Sequence, residues 1–204
     1  MPARFDVAIA GAGMAGASLA AGLAGTGARV LLFEAETRPG YHATGRSAAF
    51  WTESYGGPLV QPLTDASGPM LRAGGYLGKR GALTIARRGA EVRLEGFAGQ
   101  FESLGVRVER LDRAGLEARL PGLRAEWAVG ALEPDCSDID VARLHQDYLA
   151  AARGHGAGLW TSARLGAADA RSDGWLLTMA DGRSVSAGLL VNAAGAWADT
   201  VAGI

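Results

Sequence analysis

Glycines at 11, 13 and 16 and a glutamate at 34 are the residues of this chain whose types and spacing could do chemistry. In Gly11-Ala12-Gly13-Met14-Ala15-Gly16 each missing side chain serves a different end. Gly11 permits a tight turn, Gly13 lets backbone approach a pyrophosphate, and Gly16 lets a helix pack closely on the sheet. The first-turn N–H groups of such a helix have no partner within it and sit at the positive end of its dipole, so they favour a phosphate. Glu34 lies 18 residues beyond Gly16, near the offset at which an acid accepts from a ribose hydroxyl. A carboxylate there repels a 2′-phosphate, which favours FAD or NAD over NADP.

Strands and a helix must hold those residues in place. Phe5-Asp6-Val7-Ala8-Ile9-Ala10 is a short apolar run that predicts a buried strand. Ala15 to Gly25, rich in Ala and Leu with no β-branched residue or proline, predicts a helix. Gly27 breaks it, and Arg29-Val30-Leu31-Leu32-Phe33 predicts a second buried strand ending at Glu34. Strand, glycine turn, helix, strand and acid all agree, which a functionless Gly/Ala-rich helical hairpin would not require.

Composition narrows the rest. The 204 residues are 49% hydrophobic with a net charge of −1, a core-forming chain of one large domain or parts of two. Basic residues are scattered and make no phosphate-tracking surface, so nucleic acid is not an expected partner. The single cysteine, Cys136, excludes an internal disulfide and reads as an inert thiol; histidines at 42, 145 and 155 are too dispersed for a metal site. The uncharged stretch 7–28 is mostly Ala and Gly at nucleotide-binding spacing, so it reads as neither a membrane span nor a signal sequence. The expected compartment is the cytoplasm, or the inner face of a membrane to which the protein is peripheral.

Beyond Glu34, Pro39-Gly40 marks a turn, and the small residues of 42–49 let backbone lie near a ligand, with donors at Thr44, Arg46 and Ser47. Helices are expected over 60–71, 90–104 and 116–120, and strands over 82–86, 106–108 and 127–132. Asp140 is the natural N-cap of an amphipathic helix over 141–152 that turns Leu144, Tyr148 and Leu149 to the core. His145 and His155 are expected to face solvent, as is Glu53. Leu159-Trp160 resumes strand, turns at 172–174 and 180–182 bound a three-stranded meander, and Leu189 to Asn192 re-enters the main sheet.

Two blocks at opposite ends of the chain add a resemblance. Tyr41-His42-Ala43-Thr44-Gly45-Arg46-Ser47-Ala48-Ala49 and Leu189-Leu190-Val191-Asn192-Ala193-Ala194-Gly195-Ala196-Trp197-Ala198-Asp199, with the glycine motif and Glu34, resemble the FAD-dependent D-amino-acid oxidase family. That family takes in D-amino-acid dehydrogenases, glycine oxidase and sarcosine oxidase. The resemblance covers essentially the whole chain. It implies an α/β fold: a Rossmann-like FAD-binding domain, discontinuous over 1–50 and 141–204, with an inserted, incomplete α+β substrate domain of which 51–140 is the first part.

The cofactor contacts it implies are Gly11, Ala12, Gly13, Met14, Ala15, Gly16, Glu34, Ala35, Thr44, Arg46, Ser47 and Ala48, then Leu165 at the adenine end, and Ala194, Gly195 and Trp197. Trp197 is expected to pack in the domain core. Arg46 reads equally as a cofactor partner and as a structural cation. Some relatives join a histidine at a position similar to His42 to the flavin, but they carry Trp before it and lack the Thr-Gly-Arg-Ser that follows here. A loop histidine bonding backbone is therefore expected.

The implied activity is hydride removal from the amine-bearing carbon of an amino acid or secondary amine, giving an imine, with oxygen or a quinone as electron acceptor. Catalytic residues are not identified. Oxidation of a 2-hydroxy acid or glycerol 3-phosphate is one alternative. A truncated, non-catalytic nucleotide-binding fragment is another, because the family continues well past this length and the chain resembles its N-terminal part. An NAD-dependent dehydrogenase would give Asn192 to Trp197 no role.

Overall fold

The computed structural model describes residues 3–204, which divide into two compact units: the chain up to Ser47 together with Val141–Ile204, and Ala48–Asp140. The first stretch holds β1 (Arg4–Ala10), α1 (Met14–Gly25), β2 (Val30–Phe33) and the short α2 (Ala43–Arg46). The second unit holds β3 (Phe50–Trp51), α3 (Gln61–Ala73), β4 (Leu77–Lys79), β5 (Ala82–Arg87), α4 (Glu91–Glu102), β6 (Glu109–Leu111), α5 (Arg113–Arg119), β7 (Trp127–Glu133) and β8 (Ser137–Ile139). The chain then returns with α6 (Val141–Gly154), β9 (Gly158–Trp160), β10 (Leu165–Arg171), β11 (Gly174–Met179) and β12 (Ser184–Asn192). It closes with a 3₁₀ turn (Gly195–Trp197) and α7 (Ala198–Ala202).

In the first unit six strands lie in the order β10-β11-β12-β1-β2-β9. β12, β1, β2 and β9 run parallel, and β10 and β11 extend the sheet antiparallel. β1 shows the two-residue period of a strand covered on both faces. Val7 and Ile9 face a core with Val30, Leu32, α1 and α6, whereas Ala8 and Ala10 face one with Leu31, Leu177 and Val185. The buried face of α1 is reduced to Gly16, Ala17, Ala20 and Ala24, so the helix axis can lie close to its neighbours. Leu149 and Ala152 of α6 complete the same core.

The meander and the returning strand are continuous rather than successive. β12 pairs antiparallel with β11 over Ser184–Ala187 and parallel with β1 over Ser186–Asn192, so one strand serves both.

The second unit contains two antiparallel three-stranded sheets, β3-β8-β4 and β5-β7-β6. The strand expected at 106–108 lies at Glu109–Leu111 instead. Val106 is taken up in closing α4, its side chain buried and its N–H donating to the Phe101 carbonyl. α5 starts earlier than its apolar residues suggest, because Asp112 Oδ1 accepts from Gly115 N at 2.8 Å and caps it. Glu133, at the end of β7, is the buried acid among the described residues. Its carboxylate lies within 3.1 Å of the Thr52 hydroxyl and accepts from Glu53 N and Ser54 Oγ, both at 2.6 Å.

Candidate functional site

Within the first unit, the carboxyl ends of β1, β2 and β12 open on a cleft of about 410 Å³. In open parallel sheets this is where ligands bind. The glycine turn at the end of β1 lines it through Gly11, Gly13, Met14 and Ala15. The tip of β2 adds Glu34, Ala35 and Glu36, the 40–44 loop adds Thr44, the 163–165 segment adds Leu165, and the loop after β12 adds Ala194, Gly195 and Trp197.

The turn is compact enough that side chains are excluded. Gly11 has φ +102°, and a Cβ on it would stand 2.5 Å from the Ala193 carbonyl oxygen. A Cβ on Gly16 would stand 1.9 Å from the Gly11 carbonyl oxygen, with Leu32 of the sheet next at 3.3 Å. The close approach that Gly16 permits is thus chiefly to the turn itself.

Hydrogen bonds fix the loop from three sides. Ala12 N donates to Glu34 Oε2 and Glu36 N to Glu34 Oε1, each at 3.0 Å. Met14 N donates to Thr44 Oγ1 at 3.0 Å. On α6, His145 Nε2 lies 2.8 Å from the Ala12 carbonyl oxygen. The late loop is shaped by Asn192, whose Oδ1 accepts from Ala194 N and whose Nδ2 donates to the Ala198 carbonyl.

Not every expected contact lines the cleft. Ala12 is fully buried, its N–H and carbonyl both engaged behind the loop, and Gly16 is buried in α1. Arg46 is not among the lining residues; its guanidinium lies 4.9 Å from the ring centroid of Tyr41, which is. Ser47 and Ala48 are exposed where the chain leaves α2 in extended conformation.

Four expectations are corrected. Glu53 is half-buried rather than solvent-facing, its carboxylate accepting from Gln61 Nε2 at 3.1 Å. His145 is buried, not solvent-facing. Trp197 is 43% exposed rather than a core residue, its ring against that of His42 with centroids 4.4 Å apart. His42 bonds a side chain rather than backbone: its Nε2 lies 3.0 Å from Glu36 Oε1.

The cleft also takes in His42, expected near the cofactor, and Tyr41, Arg164 and Thr200, which sequence reasoning did not assign to it. The charge distribution is graded: helix-dipole positive at Met14 and Ala15, and acidic at Glu34 and Glu36. Among the described residues no cluster of His, Cys, Asp and Glu could hold a metal ion, and no helix is long and apolar enough to cross a membrane.

A parallel strand that runs through a glycine turn into a helix, with an acid at the tip of the next strand, defines a dinucleotide-binding α/β protein. Residues 6–204 match the family described as FAD dependent oxidoreductase, and the chain belongs to that family. Its fold is that of glycine oxidase from Geobacillus kaustophilus, with a TM-score of 0.86 at 24% identity over 98% of this chain and 58% of that one. NikD, an unusual amino acid oxidase essential for nikkomycin biosynthesis, superposes with a TM-score of 0.79 at 27% identity over 96% of this chain and 52% of that one. The L-alpha-glycerophosphate oxidase from Mycoplasma pneumoniae, solved with FAD bound, gives 0.85 at 18% identity over 98% and 56%. The chain spans a little more than half the length of these structures.

Proposed function

We propose that the first unit binds the ADP portion of FAD, and that the protein oxidises the CH–N bond of an amino acid or secondary amine to an imine. One observation carries the cofactor reading: the ends of three parallel strands bring the Gly13–Ala15 backbone, Glu34 and the Ala194–Trp197 loop into a single cleft. The donor set matches the ligand. Backbone N–H groups at the start of α1 suit the pyrophosphate, the Glu34 carboxylate suits a ribose hydroxyl, and Leu165 borders the adenine end. Tyr41, His42 and Trp197 line the cleft with aromatic rings packed on one another.

Bound FAD supplies a two-electron acceptor, and the chain's part is to bind it, orient it and keep out competing ligands. An amine substrate is supported by likeness to glycine oxidase and NikD; oxygen or a quinone as final acceptor, and a cytoplasmic site of action, belong to the same proposal. A second reading, oxidation of a 2-hydroxy acid or glycerol 3-phosphate, is supported by the likeness to L-alpha-glycerophosphate oxidase. The deciding experiment mixes the FAD-loaded protein anaerobically with amino acids, N-methylated amino acids, 2-hydroxy acids and glycerol 3-phosphate, and follows bleaching of the flavin. Bleaching by amines is the expected result. Bleaching by hydroxyl donors alone selects the second reading, and bound flavin that no donor bleaches identifies a nucleotide-binding module without turnover.

A further inference from the structure

His145 is a buried imidazole with no part in the reading above, on a helix that begins 127 residues after the glycine turn closes into α1 at Met14. Its Nε2 lies 2.8 Å from the Ala12 carbonyl oxygen. A carbonyl only accepts, so Nε2 carries the proton and donates. The Ala12–Gly13 peptide is trans, as are all peptide bonds among the described residues, so its carbonyl and its N–H point in opposite directions. Fixing the Ala12 carbonyl toward α6 therefore fixes the Gly13 N–H away from α6, on the side of the cleft that Gly13 lines.

Among the described residues the other bonds give this peptide no second anchor. Ala12 N is held by Glu34, and the Gly13 carbonyl is already in the helix, accepting from Ala17 N at 2.9 Å. The peptide between them is held by His145. The imidazole is in turn covered by the next loop. Gly40 has φ +70°, and a Cβ there would meet His145 Cε1 at 2.8 Å and Nδ1 at 3.1 Å. That loop is itself closed by Gly45 N on the Gly40 carbonyl and delivers Thr44 to Met14 N.

We infer that His145 is a positioning residue for the cofactor: it sets the Ala12–Gly13 peptide so that the Gly13 N–H is presented to a phosphate oxygen of the bound dinucleotide. This rests on the FAD reading above, and the experiment separates the two. FAD dissociation constants are measured by quenching of flavin fluorescence for wild type, H145Q, H145N and H145L, with apoprotein melting temperatures alongside. Glutamine places its amide nitrogen where Nε2 stands, while asparagine stops at the position of Nδ1.

The expected pattern is H145Q within about threefold of wild type, and H145N and H145L weaker by about tenfold or more, the loss of one oriented bond to a charged phosphate. A purely structural role would instead order affinity by apoprotein melting temperature, with no rescue by glutamine. H145L or H145N binding FAD as wild type does, or H145Q binding as weakly as H145L, overturns the inference while leaving the FAD reading intact. Wild type that does not bind FAD overturns both. Should H145L not fold, H145Q against H145N decides alone.

Discussion

In the FAD site proposed above, Glu34 serves two purposes with one carboxylate. Each oxygen accepts a backbone N–H, from Ala12 and from Glu36, and each retains a lone pair for a ribose hydroxyl. Removing it leaves two loop donors without their acceptor as well as a weaker ribose contact. A hydrogen bond to a charged group is worth about 1.5–3 kcal/mol, so E34A is expected to weaken FAD by about 10- to 100-fold in calorimetry; unchanged affinity would contradict the role. Glu53 supplies a test of a different kind. Burial raises its carboxyl above the ordinary 4.5, against a hydrogen bond from Gln61 that lowers it. Folding therefore favours the protonated form, so the group adds stability below the ordinary value and loses that contribution as pH rises through the raised one. E53Q keeps an acceptor for Gln61 and should match wild type near about pH 4 but melt higher near about pH 7; identical melting at both would refute this. Gly11, Gly13 and Glu34 were legible because their types and spacing state their job. His145 was not. It stands four residues before Leu149 and seven before Ala152, on the buried stripe of α6, but its polarity argued for solvent and its partner is 133 residues away.

At the scale of elements, the long periodic segments announced themselves and the short ones did not. α1, β1, β2, β7 and β11 carry clear apolar runs. β3 and β4, of two and three residues, hold too few side chains to show a period, and exist because β8 lies between them. β12 was legible in two pieces, since its first half pairs with β11 of the meander and its second half pairs with β1 alone. In the second unit, Glu133 gathers the 52–54 segment to the end of β7 through side-chain and backbone donors. E133A leaves these donors without a partner in a buried setting, and is expected to cost about 2–4 kcal/mol in urea unfolding; a loss under about 0.5 kcal/mol, the range of ordinary surface changes, would show the network to be incidental.

The molecule as a whole sends its chain out of the first unit after Ser47 and back at Val141, so the glycine turn and the Asn192 loop, far apart in sequence, close one cleft. That convergence is why two short blocks at opposite ends of the chain were informative together: each contributes backbone to the same ligand-sized space. It also sets ligand choice. With Glu34 and Glu36 side by side at one end, the cleft should take FAD and reject NADP, whose 2′-phosphate would meet both carboxylates. Competition calorimetry in which NADP displaces FAD at comparable concentration would refute this. The central claim is tested most directly by a crystal structure of the protein grown with FAD. The account requires the adenosine ribose within hydrogen-bonding distance of Glu34 and the pyrophosphate against the Gly13–Ala15 backbone. Electron density for the adenine half anywhere outside the cleft formed by β1, β2 and β12 would contradict it.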